Sequence, residues 1–128
     1  MLKVLIIANN DLVEDNLLDL ICQMGFQPII STMDIFRKDP KYFPDLLLID
    51  PTPYQVSYEQ LSLASYFSKK GCPVLFNGFT TDLDKAANLI ESRKNIKALS
   101  PPYQEGYLPS KIHSMLADKR IQQLHFQQ

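Results

Sequence analysis

An aspartate, Asp50, closes the apolar run Pro44-Asp45-Leu46-Leu47-Leu48-Ile49-Asp50. Four consecutive aliphatic residues without a charge among them read as a strand buried on both faces, the kind found in parallel sheets. A carboxylate at the C-terminal end of such a strand stands where open α/β sheets place their ligands and their chemistry. The residues alone leave two readings open: a functional group in that crevice, or a polar strand end that is solvated or caps a nearby turn.

The other chemistry-bearing residues are sparse. Asn9-Asn10-Asp11 follow the first apolar run and read first as a turn and helix cap. The alternative is a weak cation site shared with Asp50, carrying less negative charge than hard cations prefer. His113 and His125 stand far in sequence from Asp50, and no HxxxH or Cys/His spacing gives them a metal to hold. Cys22 and Cys72 lie in apolar contexts and are expected to be buried free thiols in a reducing compartment. Tyr54, Tyr58, Tyr103 and Tyr107 fall near the C-terminal edge of the predicted sheet, either as loop packing or as an aromatic contact patch. Only four glycines occur, with no GxGxxG, no P-loop, no Ser-His-Asp set and no nucleophile elbow. No catalytic residue, cofactor or metal is therefore predicted.

Five alternations of strand and helix position these residues. Strands are predicted over 3–8, 27–31, 45–50, 73–77 and 96–99. The matching helices fall at 12–24, 32–43, 58–70, from Thr81 onward, and after Tyr103. Val13, Leu17, Leu20, Ile21 and Met24 recur at helical spacing in the first helix, and Gly25 ends it. Pro28 marks the start of its strand or a sheet edge. Asp39-Pro40 breaks the second helix early. Leu61, Ala64, Ser65 and Phe67 are the third helix's inward candidates, and Gly71 stops it. Thr81 with Asp84 resembles a capping box for the fourth. Ile112, Met115 and Leu116 face inward from the last. Connections of this length make successive strands parallel, and right-handed crossovers put helices on both faces. The fold predicted is α/β, a flavodoxin-like (βα)5 three-layer sandwich with strand order 2-1-3-4-5.

Composition fits one globular domain. The chain has 128 residues, 45% hydrophobic and 21% charged, enough to bury a core. Thirteen basic against fourteen acidic residues, with no basic stripe, argue against nucleic-acid binding. Apolar runs are too short to span a membrane. Met1-Leu2-Lys3 leads straight into a strand, so no signal peptide is expected and the location expected is cytoplasmic. Residues 1–120 form the expected domain, and 121–128 a polar, glutamine-rich tail.

From Lys3 to Leu116 the chain resembles the chemotaxis-regulator-like receiver domains of bacterial response regulators. The resemblance rests on Lys3-Val4-Leu5-Ile6-Ile7, on the run ending at Asp50, on Pro73-Val74-Leu75-Phe76, and on Pro102-Tyr103. It implies that Asp50 matches the phosphoacceptor and that the Pro101-Pro102 bond is cis. It also implies what is missing. The two acidic metal ligands of the family fall on Ala8 and Asn9, with Asp11 two residues further on. The hydroxyl residue ending strand four falls on Gly78, the aromatic switch on Ala98, and the phosphoryl-pairing lysine on Pro101, which cannot donate. The loop proline and glycine after the acceptor fall on Tyr54 and Tyr58.

Phosphoryl transfer is stabilised almost wholly by cations, so the resemblance implies a pseudo-receiver. Such a chain is a non-enzymatic signalling module working by protein–protein contact, with a kinase or output protein as partner. A homodimer through the face of helix four, strand five and helix five is a further expectation. Two alternatives remain: a phosphorylatable receiver with an altered site at Asp50, and a flavodoxin-like small-molecule-binding domain.

Overall fold

A computed structural model describes residues 2–30, 43–51, 57–77, 94–99 and 106–126, with side chains to 118 in the last segment. Five strands form one sheet: β1 (Lys3–Ala8), β2 (Gln27–Ile30), β3 (Leu46–Asp50), β4 (Val74–Asn77) and β5 (Ile96–Leu99). Their order is β2-β1-β3-β4-β5 and every pairing is parallel, as the alternation predicts. Three helices are described: α1 (Asp11–Gln23), α2 (Tyr58–Lys69) and α3 (Tyr107–Phe126). The predicted helix over 32–43, apart from its last residue Phe43, which is not helical, and the helix predicted from Thr81 lie outside the described residues, as does the Pro101-Pro102 bond. The last helix continues to Phe126, across the expected boundary at 120.

Side-chain alternation divides the core into two layers. Val4, Ile6, Leu46, Leu48, Leu75 and Leu99 point to the face covered by α1 and α3, where Leu17, Ile21, Leu108, Ile112, Met115 and Leu116 meet them. Leu5, Ile7, Leu47, Ile49, Val74, Phe76 and Ile96 point the other way, onto Ala64 and Phe67 of α2 and Cys72. Each aliphatic side chain taken fully out of water contributes about 1.5–3 kcal/mol, so the strands between the layers supply most of the cohesion.

Helix ends follow local chemistry. Asn10 is extended (φ −134°), and its Oδ1 accepts from Leu12 N at 2.9 Å, which caps α1. Ser57 and Gln60 form a reciprocal capping box at α2: Ser57 Oγ accepts from Gln60 N (3.1 Å), and Gln60 Oε1 accepts from Ser57 N (3.0 Å). Gly25 follows α1 at φ +83° with open space where a Cβ would stand, so backbone conformation alone selects glycine.

One expectation is corrected. Cys72 is buried, but Cys22 is exposed, and both are free. Cys22 lies one residue past Ile21 and so about 100° around the helix from the Leu17–Ile21 stripe.

Position in the sheet explains Pro28. It sits on β2, an edge strand, opposite Val4. Gln27 N bonds to Leu2 O at 2.8 Å, so alternation turns the nitrogen of Pro28 to the open side. An absent N–H there blunts the edge. Restoring the donor with Pro28→Val is expected to raise concentration-dependent association, read by light scattering, above the level of the parent chain.

Burial sets a second contrast. Leu48→Ala, in the sheet centre, is expected to lower unfolding free energy by about 3 kcal/mol in urea melts. Leu12→Ala, at a side chain 69% exposed, is expected to stay within about 0.5 kcal/mol.

Candidate functional site: the Asp50 crevice

Four strands end together at the C-terminal edge of the sheet. Register pairs Ala8 with Asp50, and Asn77 with Leu99. The pairing of Ile49 with Phe76 puts Asp50 and Asn77 next to each other one step further on. Ala8, Asp50, Asn77 and Leu99 thus form one row across β1, β3, β4 and β5. Alternation points that row to the face covered by α1 and α3.

Within the row the polar pair is bonded. Asn77 Nδ2 donates to Asp50 Oδ2 at 3.1 Å, with Asp50 only 4% and Asn77 7% exposed. An ionised carboxylate only accepts, so its presence sets the amide with its nitrogen inward. The bond carries a charge on the acceptor and is stronger than one between neutral groups. A second amide acts one residue on: Asn9 Nδ2 donates to Pro51 O at 3.2 Å, joining the end of β1 to the chain after β3. Two neutral amides thus fix the Asp50–Pro51 step from either side. An amide N–H can stabilise an anion, but it brings no net positive charge to offset an incoming one.

The predicted site residues divide as follows. Asp50 ends β3 and is buried there. Ala8 is its immediate neighbour on β1 and offers no ligand atom. Asn9 bonds to the backbone. Asp11 opens α1 and is exposed, in the first turn where an acidic side chain suits the helix dipole. Ala98 packs against the α2-side layer, so it faces away from Asp50. Gly78 and Pro101 lie outside the described residues. Among the described residues no three His, Cys, Asp or Glu side chains gather as a metal site would need.

Of the four tyrosines singled out, Tyr58 and Tyr107 begin α2 and α3 and are 68% and 51% exposed. Tyr54 and Tyr103 lie outside the described residues. His113 is exposed, and its ring meets Phe26 at 5.3 Å between centroids.

Sequence reasoning missed Asn77. The signal was present: a polar residue closing Val74-Leu75-Phe76, as Asp50 closes Leu46 to Ile49. The resemblance drew attention to the next position, Gly78, and so away from the residue that bonds Asp50.

Removing one partner of a buried pair costs more than removing both. Asn77→Leu is expected to destabilise the chain by about 2 kcal/mol, the cost of taking a donor from a buried carboxylate. Asp50→Leu with Asn77→Leu is expected to recover part of that loss. Urea melts of the two single variants and the double give the coupling.

No family model and no curated protein sequence matches the chain. Solved structures do match it. NtrX from Brucella abortus superimposes with a TM-score of 0.76 at 13% identity over 99% of this chain, which spans 29% of the NtrX chain. A response regulator receiver domain protein from Clostridium thermocellum gives 0.71 at 18% identity, covering 94% of this chain and 98% of that one. The signal receiver domain of a signal transduction histidine kinase from Syntrophus aciditrophicus gives 0.70 at 17% identity, with 92% of each chain covered. With its five parallel strands in the order 2-1-3-4-5 and its helices on both faces, this chain has the flavodoxin-like fold of receiver domains.

Proposed function

We propose that this chain is an atypical receiver domain, a pseudo-receiver that signals by protein–protein contact without Mg²⁺-dependent phosphorylation of Asp50. The observation that carries the reading is the row Ala8–Asp50–Asn77. Asp50 occupies the end of β3, and the residues beside it on β1 and β4 are an alanine and an asparagine, a methyl group and an amide. An incoming phosphoryl dianion would meet a buried carboxylate bonded to a neutral donor. Its transition state needs positive charge that these neighbours do not bring. Asn9, at the second metal-ligand position of the resemblance, spends its amide on Pro51 O.

On this reading the chain is not an enzyme and uses no cofactor or metal. Residues 1–120 act as the receiver unit and 121–128 as a tail leading on from it. A kinase or an output protein is the partner, and nucleic acid and membrane are not. No helix among the described residues is long and apolar enough to cross a membrane, in keeping with a cytoplasmic module. The surface for the partner or for a second copy is the expected face of helix four, strand five and helix five, of which β5 and α3 from Tyr107 to Lys119 are among the described residues. Tyr107 of α3 and Lys97 of β5 support it, since both are exposed. With no phosphate to set its state, the partner would select the conformation it binds.

The test is direct. Incubation with acetyl phosphate or phosphoramidate and Mg²⁺ is expected to leave the intact mass unchanged. A phosphoryl gain that disappears in Asp50→Asn would instead establish an altered-site receiver. A ligand-dependent rise in melting temperature on screening metabolites would favour a small-molecule-binding domain.

A further inference from the structure

Gly78 follows Asn77 directly in the sequence. Asparagine before glycine is the pair most open to loss of the side-chain amide, because glycine has no Cβ to shield its backbone nitrogen. That nitrogen bonds to Asn77 Cγ and gives up its proton. The Cγ–Nδ2 bond breaks, ammonia leaves with the proton, and a succinimide closes. Water then opens the ring, leaving aspartate or isoaspartate at position 77.

We propose that Asn77 is a spontaneous deamidation site within the crevice and that Asp50 governs its rate. The atom that must leave, Nδ2, is the atom that donates to Asp50 Oδ2 at 3.1 Å. Asn77 is also nearly buried and paired with Leu99 as the last residue of β4. To cyclise, Cγ must swing onto the chain nitrogen that follows it. That movement gives up the bond to Asp50 and takes Asn77 out of its strand conformation. The reaction therefore proceeds from a locally opened strand end, whose population the pair controls.

The product changes the crevice. A carboxylate at position 77 replaces a donor facing Asp50 with a second acceptor and adds a like charge at short range, where the surroundings screen poorly. One amide-held carboxylate becomes two opposed ones. This conversion needs only water, and it does not depend on the signalling role proposed above.

The test follows deamidation of the full chain at mildly alkaline pH by peptide mass mapping, which separates Asn77 from Asn9, Asn10, Asn16, Asn88 and Asn95. In concentrated urea Asn77 is expected to convert first of the six, and in the native chain about tenfold or more slowly. Asp50→Ala is expected to raise the native rate about tenfold, the worth of one bond to a charged acceptor. The isosteric Asp50→Asn, which keeps an acceptor oxygen, should raise it less. Leu48→Ala lowers global stability but keeps both members of the pair, and it should accelerate Asn77 less than Asp50→Asn does. Equal rates in native and urea solutions, unchanged rates in both folded Asp50 variants, or a larger effect from Leu48→Ala would overturn the proposal. In a separate arm Asn77→Asp is expected to melt about 3–6 °C lower, and an unchanged melting temperature would overturn the opposition of the two carboxylates.

Discussion

Every residue of β3 is buried, and this strand is hydrogen-bonded in parallel on both sides, to β1 and to β4. A strand in that position has no solvent face and no free edge. Its side chains must serve both core layers, and its register with two neighbours is fixed at once. A slip of one residue would turn Leu46 and Leu48 into the α2 layer and Leu47 and Ile49 into the other. The edge strands, the capped helices and the crevice all take their places from this constraint. Asp50 is the point where it ends, since the chain there leaves the sheet with a carboxylate still inside it.

A buried carboxylate has to be compensated, and the means chosen decides what the crevice can do. A cation would make it a site for anions. Here an amide from β4 bonds the carboxylate, and an amide from the end of β1 bonds the following carbonyl. Both of these donors are neutral amides. The same residues join the ends of β1, β3 and β4.

Elsewhere the polar bonds act locally. The Ser57–Gln60 box sets where α2 begins, so that Ala64 and Phe67 reach the sheet. At the opposite edge the Ser68 hydroxyl donates to Asn95 Oδ1, and Asn95 Nδ2 returns to Ser68 O at 3.1 Å. Asn95 O also accepts from Val74 N at 2.9 Å. One asparagine thereby joins the end of α2, the start of β4 and the start of β5. These bonds lie away from Asp50 and contribute order to the frame that carries it.

The architecture was legible in the sequence because its signals are local. Short aliphatic runs, helical spacing after Asn10 and after Ser57, and Gly25 and Gly71 as stops each state a strand, a helix or its end. Connection lengths then leave parallel pairing as the outcome. Leu17, Ile21, Ile112, Met115 and Leu116 were identifiable as inward residues by the same periodicity. Even the capping box at Ser57 was written as a Ser and a Gln three residues apart, although it went unread. Asp50 too was legible, as the polar end of a buried run. What only the tertiary structure decided is which residues stand beside it. Asn77 lies 27 positions away in the chain, and its closeness comes from the register between β3 and β4, which hydrophobic runs do not number. Cys22 was misplaced for a related reason, since an apolar neighbourhood in sequence does not give the angle around a helix. Sequence names the elements because their causes lie within a few residues. It does not name the partner of a buried charge, because that partner is chosen by the pairing of whole strands.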